Sequence, residues 1–119
     1  MFKLHRLILI SFSALILSAC TPAPLFYWGD YETSIYDRMV KNDNNQGEDA
    51  LKSMIAQIES SSKKAPPGLY ADYGFMLYRR GDFANAIAYF EKEKLTFPES
   101  KQLMDTIIKK IRDKQEKKL

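Results

Sequence analysis

Pro67-Gly68-Leu69-Tyr70-Ala71-Asp72-Tyr73-Gly74-Phe75-Met76-Leu77-Tyr78-Arg79-Arg80-Gly81-Asp82-Phe83-Ala84-Asn85-Ala86-Ile87-Ala88-Tyr89-Phe90-Glu91-Lys92-Glu93-Lys94-Leu95-Thr96-Phe97-Pro98 is the stretch that decides the fold. Pro67 suits a first helical turn, because its missing N–H is one of the unpaired donors there anyway. A helix is predicted over 68–80. Gly81-Asp82 is a turn, and a second helix is predicted over 83–96. Phe83, Ala86, Ile87, Phe90 and the stem of Lys94 fall on one side of it, at helical period. Pro98 stops it.

Outward from this hairpin the pattern continues in both directions. Leu103, Met104, Ile107, Ile108 and Ile111 form the apolar stripe of a following helix that opens at Glu99-Ser100. The end of the chain, from Arg112, is mostly charge and is expected to fray. On the N-terminal side, Ile35, Tyr36, Met39 and Val40 give one apolar face to a helix over 31–41. Asn42 to Gly47 reads as a loop. A helix over 48–61 follows, with Leu51, Met54, Ile55 and Ile58 inward. No strand pattern competes, so the expected fold is all-α, with about five helices.

The central stretch resembles one tetratricopeptide repeat, a family of antiparallel helix pairs with a period of about 34 residues. Tyr70 stands at the first large position of the first helix. Tyr73 and Gly74 stand where Leu and Gly are usual, and Leu77 replaces a usual Tyr. Ala86 and Phe90 take the small and aromatic places of the second helix. Glu93 departs from the pattern, which has a small Ala there; it is expected to face solvent or to lever the next helix away. Residues 31–64 look like a degenerate copy, with Ala50 and Met54 lying 36 residues before Ala86 and Phe90. The last helix is then a cap, since such units bury a core only by stacking. The resemblance implies a binding groove on the inner face of the first helices, carried here by Ala71, Phe75, Tyr78 and Arg79. The competing reading packs Phe75 and Tyr78 against the first helix and leaves Arg79 solvated.

The start of the chain has a different logic. Lys3 and Arg6 precede an apolar run, Leu7 to Leu17, and small residues follow, in the order of a secretory signal. The run is shorter than the ~20 apolar residues a membrane span needs. Leu17-Ser18-Ala19-Cys20 resembles the lipobox of bacterial lipoproteins. That resemblance implies cleavage before Cys20, a thioether-linked diacylglycerol on it and an acylated amine. Thr21, rather than Asp, follows the cysteine, which favours the outer membrane and a periplasm-facing domain. The expected organisation is a signal at 1–19, a lipidated tether at 20–26, a helical domain at 27–112 and a charged tail at 113–119.

Composition removes several classes of function. Without Lys3 and Arg6 the chain carries 16 basic against 15 acidic residues, a net charge of +1. That is not the footprint of a nucleic-acid binder. The only His is His5 and the only Cys is Cys20. Without the signal, neither Ser-His-Asp nor Cys-His catalysis nor a zinc site built on His or Cys is available. Glu91 and Glu93 are two apart and do not share a helix face. No enzyme activity and no cofactor beyond the lipid is expected.

Phe26, Tyr27, Trp28 and Tyr31 form an aromatic cluster just after the tether. It can cap the first helical pair, touch lipid headgroups, where Trp and Tyr concentrate, or bind a partner. Lys109, Lys110, Arg112, Lys114, Lys117 and Lys118 make a basic end, diluted by Asp113 and Glu116, that reads best as a solvated helix end.

As a whole, Trp28-Gly29-Asp30-Tyr31, Pro66-Pro67-Gly68-Leu69-Tyr70, Gly81-Asp82-Phe83 and Glu91-Lys92-Glu93-Lys94 resemble a family of small proteobacterial lipoproteins. Its members are typically encoded beside a lipoprotein similar to the curli secretion channel. The resemblance implies a role in an outer-membrane assembly. The lipobox and the repeat together lead to the expectation of an adaptor supporting an outer-membrane or secretion-type complex, with a neighbouring outer-membrane lipoprotein complex as partner. The alternative is a regulator of a cell-wall enzyme, although a tether from Cys20 to Tyr27 reaches only about 25 Å.

Overall fold

A computed structural model describes residues 24–117; the expected signal, the lipobox and Cys20 lie outside the described residues. Among the described residues the chain is all-α: α1 (Tyr31–Met39), α2 (Asn44–Glu59), α3 (Leu69–Arg80), α4 (Phe83–Thr96) and α5 (Lys101–Glu116), with a short 3-10 turn at Pro98–Ser100 before α5. Each helix packs on its sequence neighbour, α1 on α2, α3 on α4 and α4 on α5, as short connections dictate.

The α3–α4 hairpin is built as its sequence implies. Gly68 and Gly81 hold φ near +90° at the two ends of α3, a region most side chains avoid. Asp82 N–H donates to Leu77 O at 2.9 Å, closing the end of α3. The Asp82 carboxylate accepts from Asn85 N–H and so caps α4. The helices meet where Gly74 faces Phe90: a Cβ at Gly74 would lie 3.1 Å from the Phe90 ring and 3.2 Å from Ala86 O. Phe90, Ala86, Leu69, Leu51 and Met54 are the innermost side chains of one core, which continues through Ile55, Leu77, Met104, Ile108 and Ile111. Met54 is buried as Phe90 is, at the matching place of the preceding hairpin.

The structure corrects four expectations. First, 42–47 is not all loop. The Asp43 carboxylate accepts from Gln46 N–H and starts α2 at Asn44, so the Asn-rich run is the first turn of a helix. Polar composition reads as loop, but Asp before a helix is a strong cap.

Second, Glu93 does not face solvent. It is only 2 % exposed, and its Oε1 accepts from Gly68 N–H at 2.7 Å. The carboxylate thus sits at the N-terminus of α3, where unpaired N–H groups and the helix dipole favour an anion. This explains a Glu where a small residue was expected. Glu93→Ala is expected to cost about 1–3 kcal/mol, the penalty of an orphaned buried donor. Glu93→Gln keeps an acceptor oxygen and should cost less. Urea unfolding of both variants checks this, and equal losses would remove the capping role.

Third, the charged tail is helical through Glu116, because α5 runs on past Ile111, which is buried. Only the end of the expected 113–119 tail falls outside the described residues.

Fourth, α1 is turned inside out relative to its pattern. Its buried residues are Ser34 and Asp37, while Ile35, Tyr36, Met39 and Val40 are exposed. Periodicity gives the width of an apolar face, not which side of the helix meets the core.

The acid response follows from the carboxylates at helix ends and ion pairs. The side chain of Asn85 holds Asp82 below its ordinary value. Lys101 and Lys94 do the same for Asp105. For Glu48, burial pushes upward, but Lys52 and Arg80 outweigh it and the net direction is down. Such groups bind fewer protons folded than unfolded, so their stabilisation is present above the ordinary carboxylate range and is lost as pH falls through the depressed values. Stability is expected to fall on acidification below about pH 4, and less steeply in Asp82→Asn, which cannot titrate. Urea midpoints measured from pH 7 to pH 3 test the difference in slope.

Candidate functional site

The polar side of α1 makes the join between the two hairpins. Ser34 Oγ donates to Gly47 O at 2.7 Å, so α1 and α2 touch backbone to side chain. The space is tight: a Cβ on Gly47 would lie 2.4 Å from Arg38 Cγ and 2.9 Å from Ser34 O. Arg38, held against this glycine, reaches across to α3. Its Nη1 and Nη2 donate to the two oxygens of Asp72 at 2.9 and 2.6 Å. Tyr31 Oη donates to the same carboxylate at 3.4 Å. The Arg side chain is 9 % exposed and its partner 22 %, so this fork pair is shielded but not dry. Hydrogen bonding to Asp72 raises Arg38 further. Burial first, and the Asp72 charge second, hold the Tyr31 phenol above its ordinary value.

Behind this pair, Asp37 is 1 % exposed. Lys41 Nζ lies 2.9 Å from its Oδ1 as an ion pair, outside hydrogen-bonding geometry, and Oδ2 has no hydrogen-bond partner among the described residues. Asp43 N–H donates to the backbone O of Asp37 at 2.8 Å, and Asn42, at φ +56°, turns the chain into α2. Asn tolerates that left-handed position better than most residues.

The join forms the floor of an open cleft of about 610 Å³ between the α1–α2 turn and α3. Arg38, Met39 and Asn42 stand on one side, Asn45 and Glu48 at the back, and Asp72, Phe75, Met76, Arg79 and Arg80 on the other. Its charges are mostly answered within the fold. Arg80 pairs with Glu48 at 2.8 Å, and Glu48 also meets Lys52 at 2.9 Å. Arg79 is exposed and has no ion pair among the described residues. Phe75 is 53 % exposed. The wall facing α1 and α2 therefore offers one free guanidinium beside one free aromatic face.

Of the four groove residues named from sequence, Phe75 and Arg79 line this cleft, while Ala71 and Tyr78 do not. Ala71 packs against the core. Tyr78 is half-buried, stacks on Phe75 at 6.2 Å and leans on Phe83 at 5.6 Å, and accepts from Lys114 Nζ at 3.2 Å. It backs Phe75 rather than offering its own face. Arg38, Met39, Asn45 and Glu48 were missed. Gly47, read from sequence as the end of a loop, gave no sign of this contact. In the structure it lies within α2 and places the Ser34–Asp37–Arg38 row against that helix.

The aromatic cluster is divided. Tyr27 and Tyr31 pack against the core. Tyr27 N–H donates to Lys64 O at 2.9 Å, its Oη donates to Gln57 Oε1 at 2.5 Å, and Lys63 Nζ lies 3.9 Å from its ring centre. Phe26 meets Phe97 edge to face at 6.4 Å. Trp28 touches Tyr31 at 5.8 Å but stays half exposed.

Residues 25–107, 83 of the 119 in the chain, match a family described as a domain of unknown function, DUF4810. The chain belongs to this family. The matched span covers α1 to α4 and the first turns of α5, and so contains the whole cleft. No curated protein matches the DUF4810 chain. No solved structure matches it either. Among its described residues, no helix is long and apolar enough to cross a membrane.

Proposed function

We propose that this DUF4810 protein is a lipid-anchored, periplasm-facing adaptor that supports an outer-membrane or secretion-type protein complex. The observation that carries the reading is the cleft between the two helical hairpins. Phe75 and Arg79 stand free in it, while the charges around them are neutralised internally. Aromatic rings and Arg are the residues that dominate binding energy at protein interfaces. The hairpin order and the places of Gly74, Ala86 and Phe90 support a tetratricopeptide-like module, whose grooves bind extended or helical segments of other proteins. The lipobox-like Leu17-Ser18-Ala19-Cys20 supports the anchor. The likeness to lipoproteins encoded beside a curli-channel-like lipoprotein supports that neighbour as the partner, and Thr21 supports the outer membrane.

The test is co-purification from detergent-solubilised membranes. The wild-type chain should carry a defined partner in fixed proportion. Phe75→Ala with Arg79→Ala should lose at least nine-tenths of it, an effect on the order of 1.4 kcal/mol or more. Both side chains are exposed, so the double variant should unfold at nearly the wild-type urea midpoint. Recovery of an unassociated chain from wild-type membranes would remove the adaptor reading.

A further inference from the structure

α1 has the reverse of an ordinary surface helix. Its buried side is Ser34, Asp37 and the Arg38 fork pair, and its solvent side is Ile35, Tyr36, Met39 and Val40. Met39 is 75 % and Val40 65 % exposed. Trp28, just before the helix, joins them to line one continuous open face. Helical repeats need a polar outer side where the stack ends, and the Lys-rich α5 supplies one at the opposite end. The α1 end does not. An apolar outer side is what a helix carries when its surroundings are apolar.

The proposed anchor at Cys20 and its short distance along the chain from this face point to a bilayer as those surroundings. Trp28 lies eight residues after Cys20, a reach of about 28 Å fully extended. An acylated Cys20 therefore keeps this face within one short tether of a bilayer at all times. The residue types fit the headgroup boundary, where Trp and Tyr concentrate. We propose that Trp28 and the outward face of α1 seat in the headgroup region of the bilayer. The inference rests on the anchoring part of the proposed function and adds to it a fixed orientation of the domain on the membrane.

The charged groups around the face are Asp30 and Glu32 at its N-terminal end and Lys41 at the other, the last already paired with Asp37. The rim is not basic, so anionic headgroups do not drive the seating. Burial of apolar surface does.

Trp28 is the only Trp in the chain, so its fluorescence reports one place. The full lipidated chain is bound to phosphatidylcholine vesicles and compared with the unlipidated Cys20→Ser chain in buffer. Trp28 emission should move to shorter wavelength, and lipid brominated on its upper acyl carbons should quench it at least threefold more. The Trp28→Phe, Tyr36→Trp chain should behave alike, placing the α1 face itself, and not only the tether, in the lipid. Tyr36→Asp with Val40→Asp should return Trp28 to the acrylamide accessibility of the Cys20→Ser chain while the protein still floats with vesicles. Adding phosphatidylglycerol should not strengthen the effect.

A wild-type chain that floats with vesicles but leaves a Trp at position 36 open to acrylamide overturns the seating and leaves the anchor standing. Shielding without bromine quenching, rising with protein density, also overturns it, since a second copy or another protein then covers the face. A wild-type chain that fails to float overturns the anchor and the seating with it.

Discussion

Phe90→Ala is expected to remove about 3–5 kcal/mol, the cost of emptying a fully packed aromatic site. A domain of this size holds roughly 5–15 kcal/mol in total, so the variant should be unfolded or nearly so at 37 °C. Three observations set the size of the effect. Phe90 is 1 % exposed, it lies at the centre of a core contributed by all helices except α1, and it packs into the space left by Gly74. Because the Gly74 backbone lies so close, the site has little room to collapse after truncation. Urea unfolding of the full chain measures the loss. Tyr36→Ala, on the exposed side of α1, is the matched control and should stay within about 0.5 kcal/mol of wild type. Similar losses in the two variants would mean that the core is not where the structure places it.

The second large effect has an unusual sign. Gly47 lies in the first turns of α2, where Ala would ordinarily gain about 0.5–1 kcal/mol from helix propensity. Gly47→Ala is instead expected to lose about 1–3 kcal/mol, the cost of overpacking. The added Cβ would fall 2.4 Å from Arg38 Cγ and 2.9 Å from the backbone oxygen of Ser34. The side chain can move; the backbone oxygen belongs to α1 and moves only with the helix. Shifting Arg38 also disturbs its two hydrogen bonds to Asp72, and with them the link between the hairpins. A double-mutant cycle with Arg38→Ala separates the two costs. The clash with Arg38 disappears in that background and the clash with Ser34 remains, so the penalty of Gly47→Ala should shrink without vanishing. A gain in stability from Gly47→Ala in the wild-type background would contradict the packing of α1 on α2.

The second hairpin was legible in the sequence because its punctuation is mechanical. Gly68 and Gly81 occupy backbone conformations that other residues avoid, Asp82 caps a helix, and Pro98 cannot continue one. Leu51, Met54, Ile55 and Ile58 of α2 and Met104, Ile108 and Ile111 of α5 followed from period. Tyr70, Tyr73, Gly74 and Leu77 of α3 came from the resemblance to the repeat. Leu103, placed on the same stripe of α5, is exposed. Period misplaced α1, because its apolar row is its outer side and its inner side is made of Ser34, Asp37 and Arg38. A polar seam satisfied by a partner 34 residues away leaves no periodic trace. The same holds for Glu93, whose partner is a backbone N–H of another helix 25 residues earlier. In the cleft, Phe75 and Arg79 could be placed from the resemblance to helical repeats, because they project from one helix at i and i+4. The opposite wall comes from the turn between α1 and α2, and it depends on where α2 begins. Reading 42–47 as loop hid that wall.

The adaptor reading and the fold meet in one place, the cleft between α1–α2 and α3. Site-specific photo-crosslinking in living cells tests it most directly, with a photoreactive residue at position 75, at position 79, or at Lys110 on the exposed side of α5. The prediction is one discrete adduct, of the same partner, from 75 and 79 and none from 110. Absence of any adduct from 75 and 79, or the same pattern from all three positions, would contradict a partner bound in the cleft.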